Sequence, residues 1–180
     1  MTPRCRPDDD DVAALVTRLG LGPLDEGGWY KQTWTGADGP GGRPVGTAIY
    51  YLLAAGERSH WHRLDIDEVW HFTDGSPMEH RQTDNTGAIT TVVLGRTSDG
   101  GDGNQVQAQV VVPAGCWQTA RPLGPWSAAC CSTAPGFTDA GFDLAPPDWE
   151  PADREPGSWE PAAGRPVKHR DDADEGSAST

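Results

Sequence analysis

The sequence predicts an all-β sandwich or barrel, preceded by one short helix and followed by a tail. Three observations carry that expectation. Between Trp29 and about Phe142, short apolar or alternating runs are separated by clusters of Gly, Pro, Asn and Asp, with no long helical pattern among them. Ahead of Trp29 the apolar period is helical, and beyond Ala145 there is none. The apolar fraction is only 36%, yet there are eight Trp, which are not spread like solvating residues.

The elements follow in order. Residues 1–11 end in four consecutive Asp and are expected to be a disordered acidic N-terminus. Val12, Leu15, Val16 and Leu19 then have the spacing of a short amphipathic helix, with Asp at its positive end and Gly20 or Gly22 to stop it. Strands are read in "GGWYKQTW", "TAIYYLL", "SHWHRL", "DEVWHF", "AITTVVLG", "QVQAQVVV", "CWQTAR" and "WSAACCST". The folded unit spans residues 12–146. Residues 147–180 are rich in Pro, Glu and Asp without an apolar period, the composition of a disordered tail. Within it a Trp-Glu-Pro unit recurs at Trp149 and Trp159; a tolerated tail is the expectation and a partner-binding short motif the alternative.

Charge excludes some partners. With 27 acidic residues against 14 Lys and Arg the net charge is −13, too few cations for a basic face that would bind nucleic acid or an anionic membrane. No run approaches the roughly 18 apolar residues of a membrane span. The N-terminal stretch lacks the apolar core of a signal peptide, so a cytoplasmic location is expected. Cys5, Cys116, Cys130 and Cys131 fit neither a disulfide framework nor a zinc ribbon. Cys130 and Cys131, adjacent in a strand, should point to opposite faces and serve as small buried residues.

The chemistry concentrates in "GERSHWHRLDIDEVWHFTDG", residues 56–75. Alternation in a strand puts His60 and His62 on one face, and the next strand puts Glu68, Trp70 and Phe72 on one face. If these strands pair, two imidazoles and a carboxylate converge, a donor set suited to a divalent transition metal. Further along, Pro113 and Gly115 lead into a strand on which Gln118 offers a weaker fourth ligand or a hydrogen-bonding amide. Trp70, Phe72 and Tyr51 are candidate pocket walls. His71, Arg63 and Arg121 read as outer-face or ion-pair residues. Glu26, in "EGGW", either bonds a glycine turn or reaches the pocket. The loop "TSDGGDGNQ" lacks the terminal Glu of a calcium loop and reads as a hairpin connection.

Gly56, His60-x-His62, Glu68 and Gly75 resemble the first motif of the cupin superfamily, and Pro113-x-Gly115-x-x-Gln118 the second, with Gln where many cupins have His. More specifically, "LGLGPLDEGGWYKQTW", "TAIYYLL", "SHWHRLDIDEVWHF", "GSP", "VVPAGCWQTAR" and "STAPGF" are similar to the cupin family known as domain of unknown function 985, or cupin 5. The resemblance spans residues 18–145. It implies a double-stranded β-helix, the cupin jelly-roll barrel, in a homodimer with a small-molecule pocket at one end. That family has no agreed activity, and the fold alone does not decide one. The sequence departs from the pattern in the long gap between His62 and Glu68, in Leu24 and Asp25 where the family has His-Pro, and in Lys31 and Gln32 where it has Arg and Glu.

Two functional expectations follow. One is an enzyme with Fe, Mn, Ni or Zn on His60, His62, Glu68 and Gln118, isomerising, decarboxylating or oxygenating a small carbonyl or sugar-like substrate; a metal-free variant uses His62 as general base with Glu68 orienting it. The other is a small-molecule binding protein without turnover.

Overall fold

The computed structural model describes residues 9–83, 88–100 and 106–151. Helix α1 (Asp9–Leu19) begins three residues ahead of Val12, so part of the expected acidic arm forms its first turn. Its apolar stripe, Val12, Leu15, Val16 and Leu19, packs on Leu21, Leu52 and Trp126. Lys31 Nζ donates to the Leu19 carbonyl at 3.0 Å, satisfying one of the helix's terminal acceptors.

Among the described residues twelve strands follow: β1 (Gly22–Pro23), β2 (Trp29–Thr35), β3 (Thr47–Ala54), β4 (Ser59–Leu64), β5 (Glu68–Gly75), β6 (Met78–Thr83), β7 (Ile89–Leu94), β8 (Val106–Gln107), β9 (Gln109–Val112), β10 (Gln118–Pro122), β11 (Trp126–Thr133) and β12 (Phe142–Leu144). They form two six-stranded sheets, ordered β1-β2-β3-β11-β5-β9 and β12-β4-β10-β6-β7-β8. The pairings are antiparallel except β7 with β8. This is the jelly-roll double-stranded β-helix that the resemblance implied.

The sequence reading needs further corrections. The strands of His62 and Glu68, β4 and β5, do not pair but lie in different sheets, so these side chains approach across the barrel rather than along one sheet. "QVQAQVVV" is two strands: β8 joins one sheet and β9 the other, separated at Ala108, whose carbonyl accepts from Phe72 N at 2.9 Å. Strand β6, "MEHRQT", was not anticipated, because its buried positions are Met78, His80 and Thr83 and offer little apolar alternation. The tail was expected to begin at residue 147, but residues 147–151 lie on the sheet, where the Trp149 ring meets Trp117 at 4.6 Å, tilted by 44°. The second Trp-Glu-Pro unit, Cys5 and residues 101–105 of the Gly-Asp loop lie outside the described residues.

Between the sheets Tyr51, Leu53, Trp70, Met78, Leu94 and Val112 form the core. Tyr51 meets Trp70 edge-to-face at 5.4 Å, a contact worth about 0.5–1.5 kcal/mol beyond area burial. Tyr50, one residue along, is exposed, as strand alternation requires. Cys131 is likewise buried between the sheets, and Cys130 turns to the other face.

Candidate functional site

One end of the barrel encloses a cavity of about 380 Å³. Tyr30, Ile49, Tyr51, Leu64, Trp70 and Phe142 give it apolar walls. Among the described residues its charged lining is acidic, from Asp25, Glu26, Glu68 and Asp139, with no Lys or Arg. His62 joins them. Leu24, Asp25 and Gln32, three of the four residues that depart from the family pattern, also line the cavity, so they set its polarity.

Strand β4 places His62 by an irregularity. Gln118 pairs with His62 but Ala120 pairs with Ser59, so three steps on β4 oppose two on β10. The extra residue is a β-bulge, and it resets the alternation. Ser59 and His62 therefore meet, Oγ to Nδ1 at 3.4 Å, although they are three apart. His60 is displaced from the site: it is half-buried and absent from the cavity lining. Partial burial, then the charge of Arg58, lower its pKa, and the acidic groups that face it are Asp148 and Glu150, outside the pocket.

Glu26 arrives on a glycine turn. Gly27 N bonds the Leu24 carbonyl at 2.9 Å, and His60 N bonds the Glu26 carbonyl at 2.6 Å, which ties the turn to β4. Gly28 has φ +74°, and a Cβ there would lie 2.7 Å from the Leu52 carbonyl, so the close approach requires glycine. Tyr51 Oη donates to the Gly27 carbonyl at 2.6 Å. Of the two readings of Glu26, the structure shows the pocket one, with Ser59 Oγ donating to its Oε1 at 3.1 Å.

The electrostatics follow from burial. Desolvation raises the Glu26 carboxyl to about 7, against the pull of the Ser59 hydrogen bond. It also raises Glu68, opposed by the charge of His62 and by hydrogen bonds from Gln118 and Trp70. His62 is pushed down by burial, so it is neutral at neutral pH. Its Nδ1–H donates to the His60 carbonyl at 2.8 Å, and Glu26 Oε2 lies 3.6 Å from the same nitrogen. Nε2 is thus the basic nitrogen of a ring that lines the cavity.

Behind Glu68 runs a buried relay. Gln118 Nε2 donates to Glu68 Oε2 at 2.6 Å, and Trp70 Nε1 donates to the same oxygen at 3.0 Å. The Gln118 oxygen in turn accepts from His80 Nε2 at 3.3 Å. Burial holds His80 down to about 4. Sequence reasoning missed His80 and Ser59: His80 sits on the unrecognised β6, and Ser59 reaches the site only through the bulge.

The four expected metal donors do not fit a resident ion as arranged. His60 is off the site and the Gln118 oxygen faces His80, so of the four donors only His62, through Nε2, and Glu68 line the cavity. Among the described residues no three His, Cys, Asp or Glu group in a way that could hold a metal ion. Of the other expected residues, Tyr51 and Trp70 do line the cavity, whereas Phe72 packs against the core and does not. Gln118 supports the site from beneath through Glu68. Arg63 and Arg121 form ion pairs with Asp143 and Glu79, as expected.

Comparison with known proteins agrees with the architecture. A chain solved as protein SO0799 from Shewanella oneidensis is 32% identical, with TM-score 0.68 over 77% of this chain and 85% of that one. A hypothetical protein from Leishmania major is 26% identical, with TM-score 0.65 over 74% of this chain and 86% of that one. Oxalate decarboxylase from Bacillus subtilis shares the fold at 14% identity and TM-score 0.53, over 68% of this chain and 29% of its own. The sequence matches no curated protein. Among the described residues no helix is long and apolar enough to cross a membrane. Residues 13–145 match the family described as Cupin superfamily (DUF985), and the chain belongs to that family.

Proposed function

We propose that the cavity is a proton-transfer site for a small uncharged, sugar-like or carbonyl compound, catalysing isomerisation or epimerisation with side chains as acid and base. The observation that carries this reading is the pairing, in one cavity, of a neutral imidazole with a carboxyl group held near pH 7. Such a pair supplies base and acid together at neutral pH, and general acid–base catalysis contributes about 10²- to 10⁴-fold.

In this reading His62 Nε2 takes a proton from a carbon beside a carbonyl or hydroxyl. The Glu68 carboxylate, whose charge favours the protonated imidazole, stabilises the product of that step. Protonated Glu26 donates to the substrate oxygen as charge develops on it. The acidic lining without Lys or Arg favours a neutral ligand over a carboxylate, which it would repel. A metal-dependent isomerase, decarboxylase or oxygenase is less well supported, because the four donors do not converge. A binding protein without turnover is the second reading, supported by the apolar walls around a few polar groups.

The test is solvent-deuterium exchange into a panel of neutral aldoses, ketoses and hydroxycarbonyls, followed by proton NMR. Carbon-bound deuterium that appears with the wild type and falls at least 100-fold in His62→Ala is the expected result. Saturable binding of a panel member with no exchange would overturn the catalytic reading in favour of the binding one.

A further inference from the structure

The second sheet carries another site on its outer face. Ala145 N bonds the Trp61 carbonyl at 2.8 Å, and Trp149 N bonds the Pro146 carbonyl at 3.0 Å, closing a turn that lays residues 146–151 across β4, β10 and β6. The Trp149 indole lies 4.6 Å from Trp117 and 6.0 Å from Trp61, edge-on to the latter. Its neighbour Glu150 accepts from Trp61 Nε1 at 3.0 Å and from Arg58 at 3.2 Å, with Arg81 at 3.6 Å. Arg81 also stacks on Trp61 at 5.4 Å, and Arg63 on Trp117 at 5.0 Å. These residues make a cradle for an indole followed directly by a carboxylate.

The chain contains that dipeptide twice. Pro146-Pro147-Asp148-Trp149-Glu150-Pro151 is followed, ten residues on, by Pro156-Gly157-Ser158-Trp159-Glu160-Pro161. Both copies read Pro-x-(Asp or Ser)-Trp-Glu-Pro, and no other Trp in the chain precedes Glu. The repeat keeps each residue the cradle uses: Pro at the first turn position, a short polar residue suited to the third, the indole and the carboxylate.

We propose that the cradle is a recognition site for Trp-Glu-Pro segments, and that Trp159–Pro161 of the same chain is its second ligand, exchanging with Trp149–Pro151. Tethering makes the exchange intramolecular, at high effective concentration. From the anchor at Ala145, the first indole is four residues away and the second fourteen. Loop closure that scales as the three-halves power of length then favours the first copy by about sixfold, so the second occupies the cradle in roughly one molecule in seven. The outer sheet face therefore holds either copy of the segment in turn.

The test uses the full chain labelled with 5-fluorotryptophan and followed by fluorine NMR. The Trp159 signal is assigned by its loss in Trp159→Phe, and its free position is set by a peptide of residues 155–162. In the wild type, the expected signal is mostly free, with about one part in seven at a ring-current-shifted position. Trp149→Ala should move more than half of it there. Glu150→Gln, which keeps the indole and weakens only the charged contacts, should give a smaller shift in the same direction. Trp159 at the free position in all three proteins would overturn the proposal, as would a bound fraction that rises with protein concentration, because that dependence belongs to exchange between chains.

Discussion

On the inner face of β4, Ser59 and His62 stand against Glu26 and Glu68, with no Lys or Arg among the described residues that line the cavity. On the outer face of the same strand, Trp61 and Arg63 belong to a surface where one carboxylate, Glu150, meets Arg58 and Arg81. The two regions treat the same functional group in opposite ways. Glu26 is desolvated and has no Arg or Lys partner, so its acidity falls by more than two pH units, to about 7. Glu150 keeps about two-fifths of its side chain exposed and has its charge balanced by guanidinium groups. A carboxylate paired with guanidinium groups at the surface keeps its charge balanced; one buried among the described residues without a cation holds its proton up to about pH 7. One inserted residue in β4 separates the two roles, because it carries His62 inward and leaves His60 outside.

Three substitutions sharpen the comparison. Trp70→Ala should have the largest effect, about 3–5 kcal/mol by urea unfolding, because it empties the core beside Tyr51 and His80 and removes a donor to Glu68. Loss below about 1 kcal/mol would mean that the inner wall is far less tightly packed than its burial indicates.

Glu26→Gln comes next, and its effect should depend on pH. The folded carboxyl keeps its proton up to about pH 7 while the unfolded one releases it near 4.5, so the wild type loses stability as pH rises through that window. The full loss is about 3 kcal/mol, from 1.36 kcal/mol per pH unit. Gln does not ionise, so the variant should gain most of that difference relative to wild type between pH 5 and pH 8, in parallel urea melts. His80 acts on the acid side: it is held down to about 4, so its contribution fades as pH falls from 6.5 towards 4, in wild type and variant alike.

Glu150→Ala should have the smallest effect on stability, about 1 kcal/mol or less, because its ion pairs are partly exposed and salt-screened. Deuterium exchange in the cavity should be unchanged, since Glu150 lies outside the cavity lining.

Much of this was legible in the sequence. β4 and β11 fall on the residues that alternation marked, 59–64 and 126–133, because their buried positions are Trp, Leu, Ala and Cys as well as small polar residues. Glu68 and Trp70 share the inner face as expected. What failed had local physical causes. A bulge adds one residue without any change in composition, so nothing in "SHWHRL" distinguishes His60-with-His62 from Ser59-with-His62. His80 was hidden because β6 buries Met, His and Thr rather than an apolar alternation. Phe72 keeps the register of Trp70 on β5 but lies further along the strand, packed against the core outside the cavity lining. The ordered Trp149 was missed because its partners, Trp61 and Trp117, come from distant strands.

The most direct test of the central claim is a carbon-13 NMR titration of the Glu26 carboxyl carbon, assigned by its disappearance in Glu26→Gln. A midpoint close to pH 7 is the result this account predicts. A midpoint near 4.5 would show an ordinary solvated carboxylate, and would contradict the assignment of Glu26 as the acid that works beside His62.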